Sequence, residues 1–168
     1  MADNKIDQKK DGSEVKTITV PLSLGRIKEN ITIRTNVPSL PSQEQIINQA
    51  FRFHSQGNIP EAIKFYQQLI SQECNDHRIF SNYGAILKGL GKLKEAELHT
   101  RKAIELNPTF AMEHLNLGTI LRDLGNLKEA EISCRKAIKI KPDFTESHYN
   151  LGNILLDLGK LKEAEFSY

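Results

Sequence analysis

From residue 43 onward, apolar residues recur at three- and four-residue intervals among polar ones. Tyr83 and Leu87, Leu117 and Leu121, and Leu151 and Leu155 are i, i+4 pairs, the spacing that one face of an amphipathic helix requires. The same pattern returns at a fixed interval. KLKEAE at 92–97, NLKEAE at 126–131 and KLKEAE at 160–165 set Ala96, Ala130 and Ala164 34 residues apart. A period of this length is the mark of a helical array in which each unit buries its apolar face only against its neighbours. Aligned on that period, the chain divides into units 43–76, 77–110, 111–144 and an incomplete 145–168, each predicted to hold two helices.

The punctuation between helices repeats as well. Counting within each unit, position 8 is Ala50, Gly84, Gly118 and Gly152, and position 20 is Ala62, Ala96, Ala130 and Ala164. Small side chains at both places let two antiparallel helices approach closely. Position 15 is Gly57, Gly91, Gly125 and Gly159, which supplies the positive φ that ends the first helix of each pair. Asn107-Pro108 and Lys141-Pro142 stop the second helix and turn the chain into the next unit.

These residues resemble the tetratricopeptide repeat family, with small residues at positions 8 and 20, an aromatic or apolar residue at 24, Ala at 27 and Pro at 32. Gly84, Ala96, Ala103 and Pro108 fit in the second unit, and Gly118, Ala130, Ala137 and Pro142 in the third. The first unit departs: Tyr66 fits position 24, but Leu69 stands at 27 and Cys74 at 32. Such irregularity suits a terminal unit with one side toward solvent. Position 4, often Trp in the family, is Ile46, Phe80, His114 and His148. The resemblance implies an all-α fold, a right-handed α-solenoid of antiparallel helix pairs, whose role is to bind protein.

Residues 1–42 differ in kind. The first fourteen are charged and aperiodic, the composition of a disordered tail. Alternation in VKTITV at 15–20 and ITIRTNV at 31–37 allows a loose hairpin. Pro38 and Pro41 then mark an extended linker that brings Ser42 to the cap of the first helix. Of the 23 Lys/Arg and 21 Asp/Glu, seven and five lie in residues 1–42, so the repeat region is neutral and offers no field for nucleic acid or anionic lipid. Neither a signal peptide nor a membrane-spanning apolar run is present, and cytoplasm is the expected location. Cys74 and Cys134 lack metal-ligand or CxxC spacing and read as buried thiols in a reducing compartment.

Function in such an array must come from positions that packing does not dictate. On the wheel of the first helix, position 6 lies opposite the packing face, and it is Asn48, Asn82, Asn116 and Asn150. Positions 2 and 5 vary from unit to unit, so duplication alone does not explain the invariance. An amide presents a donor and an acceptor, matching the N–H and C=O of an extended peptide. Units about 10 Å apart meet a strand rising about 3.3 Å per residue once every three residues. Solubility or bonding between repeats is the competing reason for asparagine there. The row resembles the asparagine ladder of O-linked N-acetylglucosamine transferases and related bacterial arrays, which implies a groove for a target polypeptide. Beside it, Lys88 and Arg122 at position 12 and Asp123 and Asp157 at position 13 offer mixed charge to tune the choice of peptide. The family's carboxylate clamp for chaperone C-termini needs Lys and Asn where Ile47 and Phe51 stand here, so that use is excluded.

No catalytic constellation emerges, and no cofactor or metal is implied. The Gly-Lys pairs at 91–92 and 159–160 lack the phosphate-loop context, and His114 and His148 occupy a packing position. The sequence thus predicts a non-catalytic adaptor that binds an extended polypeptide. The alternative is the substrate-docking portion of a larger glycosyltransferase-like enzyme, because Tyr168 falls only eight residues into a second helix. A stack ending there leaves Leu155 and Leu161 uncovered and invites self-association.

Overall fold

A computed structural model describes residues 41–165. The expected tail, hairpin and linker therefore lie outside the described residues, apart from Pro41 and Ser42. Eight helices follow among the described residues: α1 (Gln43–Ser55), α2 (Ile59–Ser71), α3 (His77–Gly89), α4 (Leu93–Leu106), α5 (Ala111–Asp123), α6 (Leu127–Ile140), α7 (Thr145–Asp157) and α8 (Leu161–Glu165). They form an all-α solenoid of consecutive antiparallel pairs, with α3, α5 and α7 beginning 34 residues apart.

Each pair turns on a glycine. Gly57, Gly91, Gly125 and Gly159 have φ of 72°, 74°, 80° and 74°, a left-handed conformation that a Cβ would strain. The two helices of a pair then meet at their small residues. A Cβ added to Gly84 would lie 2.8 Å from Thr100 Oγ1, and one added to Gly118 would lie 2.5 Å from Cys134 Sγ. Position 8 thus packs against position 24, and the helices are as close as the absence of a side chain permits. The second helices α4 and α6 stop at Leu106 and Ile140, before the two prolines.

The apolar stripes read from the sequence are buried. Leu87, Leu121 and Leu155 are 2%, 0% and 1% exposed, and Tyr83, Leu117 and Leu151 are also in the core. Full burial of each leucine contributes roughly 1.5–3 kcal/mol. Leu155 is therefore not uncovered, since it faces its own unit and the preceding one; of the two residues expected at an open apolar end only Leu161 is exposed, at 64%.

The position-4 histidines tie one unit to the next. His114 Nε2 donates to the carbonyl of Pro108 at 2.9 Å, and His148 Nε2 does the same to Pro142 at 2.9 Å. A carbonyl only accepts, so the proton sits on Nε2 in both rings. Burial of His114 pushes its pKa below the ordinary histidine value, against the opposing pull of the Pro108 carbonyl. Burial raises the Cys134 thiol to about 12, which leaves it an inert part of the core.

Candidate functional site

The first helices of successive units touch directly, α3 against α5 and α5 against α7. No two successive second helices pack as closely. From α3 onward the first helices therefore form the tighter side of the stack, with Asn82 on α3, Asn116 on α5 and Asn150 on α7; Asn48 holds the same repeat position on α1.

The four asparagines share a register but not an environment. Asn48 is exposed, whereas Asn82, Asn116 and Asn150 are half-buried. The wheel of an isolated helix places all four opposite the core, but it leaves out the adjoining units and the carbonyls of the helix itself. The side chain of Asn82 faces the hydroxyl of Tyr66, whose pKa burial raises to about 12 against the opposing effect of Asn82. The same hydroxyl lies 3.1 Å from His54 Nδ1. Asn150 Nδ2 donates to the Glu146 carbonyl of its own helix at 2.7 Å. Asn116 is used by the protein through its backbone, whose carbonyl accepts from Thr119 Oγ1 at 2.9 Å. Among the described residues, the side-chain amides of Asn48 and Asn116 have no protein partner.

The charged residues beside this row are bound to one another. Lys88 Nζ donates to Thr119 Oγ1 at 2.8 Å and lies 3.7 Å from Asp123 Oδ2. One unit on, Arg122 Nε donates to Asp157 Oδ2 at 2.6 Å. Position 12 of the second and third units thus reaches position 13 of the unit that follows, and the mixed charge joins α3 to α5 and α5 to α7. The bond to Asp157 raises the Arg122 pKa further above its already high value.

A second inter-unit tie gave no sequence signal. Glu113, fully buried on α5, accepts from Ser81 Oγ of α3 at 2.6 Å, and its other oxygen lies 3.6 Å from His77 Nδ1. Its equivalents are Gln45, Ile79 and Ser147, so the repeat pattern alone does not single it out. At the first unit, Ile47 and Phe51 are half-buried against the core, and the Arg78 guanidinium covers the Phe51 ring at 5.3 Å. Among the described residues no helix is long and apolar enough to cross a membrane.

Three family models match the chain. Two described as tetratricopeptide repeat cover residues 77–110 and 99–132, and one described as TPR repeat covers 118–159. Hsp70-Hsp90 organizing protein 3 of Arabidopsis thaliana is 40% identical over 58 residues, which are 34% of this chain and 10% of that protein. This chain thus matches about a tenth of that relative's length. Among solved structures, MamA superposes with a TM-score of 0.72 at 20% identity, over 75% of this chain and 74% of that one. The first TPR of Spaghetti (RPAP3), bound to the HSP90 peptide SRMEEVD, gives 0.65 at 20% identity, over 70% and 93%. An O-GlcNAc transferase mutant of Thermobaculum terrenum gives 0.61 at 20% identity, over 67% and 22%. At these identities the structural likenesses speak for the fold alone. The matched segments show that residues 77–159 are built of tetratricopeptide repeats, and the helix pairs and positive-φ glycines of the other described residues follow the same architecture.

Proposed function

We propose that this chain is a non-catalytic protein-interaction module whose first-helix face holds an extended polypeptide through its backbone. The observation that carries this reading is the register of one amide per unit, with those of Asn48 and Asn116 open to a ligand. Asn150 joins the row by exchanging its bond to Glu146 for a peptide one, and Asn82 by turning from the Tyr66 hydroxyl. Such an exchange costs little net free energy, so the two open amides supply most of the grip.

Lys88, Arg122, Asp123 and Asp157 neutralise one another across units. They hold the first helices at a fixed spacing and leave the face without a net demand for charge on the peptide. Ile47 and Phe51 place apolar groups, packed on the core, where a clamp for a terminal carboxylate needs polar ones. The named chaperone relatives therefore support peptide binding as a class, and the occupant here is an internal extended segment rather than an acidic C-terminus.

The test is selection of peptides from a random displayed library on this chain. Replacing Asn48 and Asn116 together by Ala weakens every selected peptide by about tenfold whatever its sequence, the effect of losing two or so hydrogen bonds. Selected peptides that bind both proteins equally would remove the amides from recognition.

A further inference from the structure

A cleft of about 370 Å³ opens on the other side of the stack, between α4 and α6 with α5 as its floor. Its origin lies in three positions of the repeat. In the second unit, positions 4, 7 and 23 are Phe80, Tyr83 and His99. There the His99 ring stacks on Phe80 at 6.1 Å between centroids and meets Tyr83 at 4.8 Å. In the third unit the same positions are His114, Leu117 and Ser133, and all three line the cleft. The ring at position 23 has become a hydroxymethyl group, and its two aromatic neighbours have become an imidazole and an isobutyl group. The cleft is the space a ring fills one unit earlier.

We infer that this cleft is a docking site for an aromatic side chain of a partner polypeptide, with a carboxylate next to it. The volume suffices, since a cavity of about 150 Å³ already holds benzene. Ile132 stands 65% exposed at the rim, an apolar edge that an incoming ring would cover. The charges around the cleft select the neighbour of that ring. Arg101 is held by Glu97 and Glu129 at 2.9 and 2.5 Å, and Glu105 by Lys102 at 2.9 Å. Lys136, exposed on α6, has no carboxylate within ion-pair distance among the described residues. It is the cation left to meet an acidic group.

The site differs from the asparagine face in location and in chemistry, and its test is independent of that face. N-acetyl-Phe-Asp-amide is titrated into the ¹⁵N-labelled chain, with the Ala-Asp and Phe-Asn analogues as controls. The expected result is saturable shifts of the Ile132, Ser133 and Leu117 amides with Phe-Asp, and none there with Ala-Asp. Lys136→Glu, an exposed change, weakens Phe-Asp by about threefold and leaves Phe-Asn unchanged, as expected for one solvent-facing ion pair. Ser133→His rebuilds the ring of the second unit and removes binding while helical content stays the same. No shift at these residues at about 10 mM peptide, or equal shifts with Ala-Asp, overturns the proposal. If Ser133→His does not fold, the Lys136→Glu comparison decides: equal loss for Phe-Asp and Phe-Asn overturns the assignment of the carboxylate.

Discussion

Arg122 on α5 and Asp157 on α7 are joined at 2.6 Å, and the bond repeats the approach of Lys88 to Asp123 one unit earlier. Both members of the Arg122 pair are about a third exposed, so the pair stabilises the stack modestly. A double-mutant cycle with Arg122→Ala and Asp157→Ala should give a coupling of about 0.2–1 kcal/mol by urea denaturation, shrinking in high salt. A coupling of zero at low salt would mean that the two helices are held by apolar contact alone.

Gly118 and Gly89 are both glycines in first helices, yet their replacement should act in opposite directions. Gly118→Ala drives a methyl into Cys134 Sγ, 2.5 Å from the new Cβ, and toward the Ala130 carbonyl at 3.3 Å. Overpacking of this kind costs about 1–3 kcal/mol, more than the gain of about 1 kcal/mol in helix propensity. Adding Cys134→Ala should recover part of the loss. Gly89→Ala meets nothing within 4 Å and should stabilise by about 0.5 kcal/mol. Midpoints of urea unfolding for the four proteins check the sign of each change.

Much of this fold was legible because the repeat constrains the same place several times over. The turn glycines, the small residues at positions 8 and 20 and the stop before each proline could be read without coordinates. Each depends only on contacts inside one helix pair. The register of the proposed face was legible and its exposure less so. A wheel drawn for one helix leaves out the adjoining units and the helix's own carbonyls, so Asn82, beside Tyr66 of α2, and Asn150, which donates to Glu146, were expected to be freer than they are. The charged residues were assigned to a peptide for the same reason. A search for opposite charges separated by one period plus one residue would have paired Lys88 with Asp123 and Arg122 with Asp157. Glu113 had no such signal, because its partners Ser81 and His77 form no repeated pattern.

Acidification should weaken the stack in two steps. Burial lowers the pKa of His54, His99 and His114 in the folded chain. The unfolded chain, with histidine near 6.5, binds these protons first as the pH falls. The histidine contribution is thus fully present above about pH 6.5 and is lost below it as pH approaches the folded-state values. Asp76 and Glu131 are lowered chiefly by hydrogen bonds from Arg78 and Lys160, and their contribution disappears only below the ordinary carboxylate range. Urea midpoints should therefore drop between pH 7.5 and 5.5, and the drop should be smaller in His114→Phe, which supplies the ring that the second unit has at that position.

Cys134 should resist thiol reagents in the folded state. With its thiol held near 12 by burial, almost no thiolate exists at pH 8. Labelling by a disulfide reagent should follow the opening of the stack and rise steeply near the urea midpoint. Rapid labelling of Cys134 in native buffer would show that α5 and α6 separate far more readily than their packing implies.

The central claim is that side-chain amides on the first helices hold a peptide backbone, and the side-chain NH₂ resonances of the asparagines report on it directly. On saturation with a library-selected peptide, the Asn48 and Asn116 NH₂ signals should move farthest, and those of Asn82 and Asn150 should follow as they leave Tyr66 and Glu146. Firm binding with all four pairs of signals unmoved would contradict the claim.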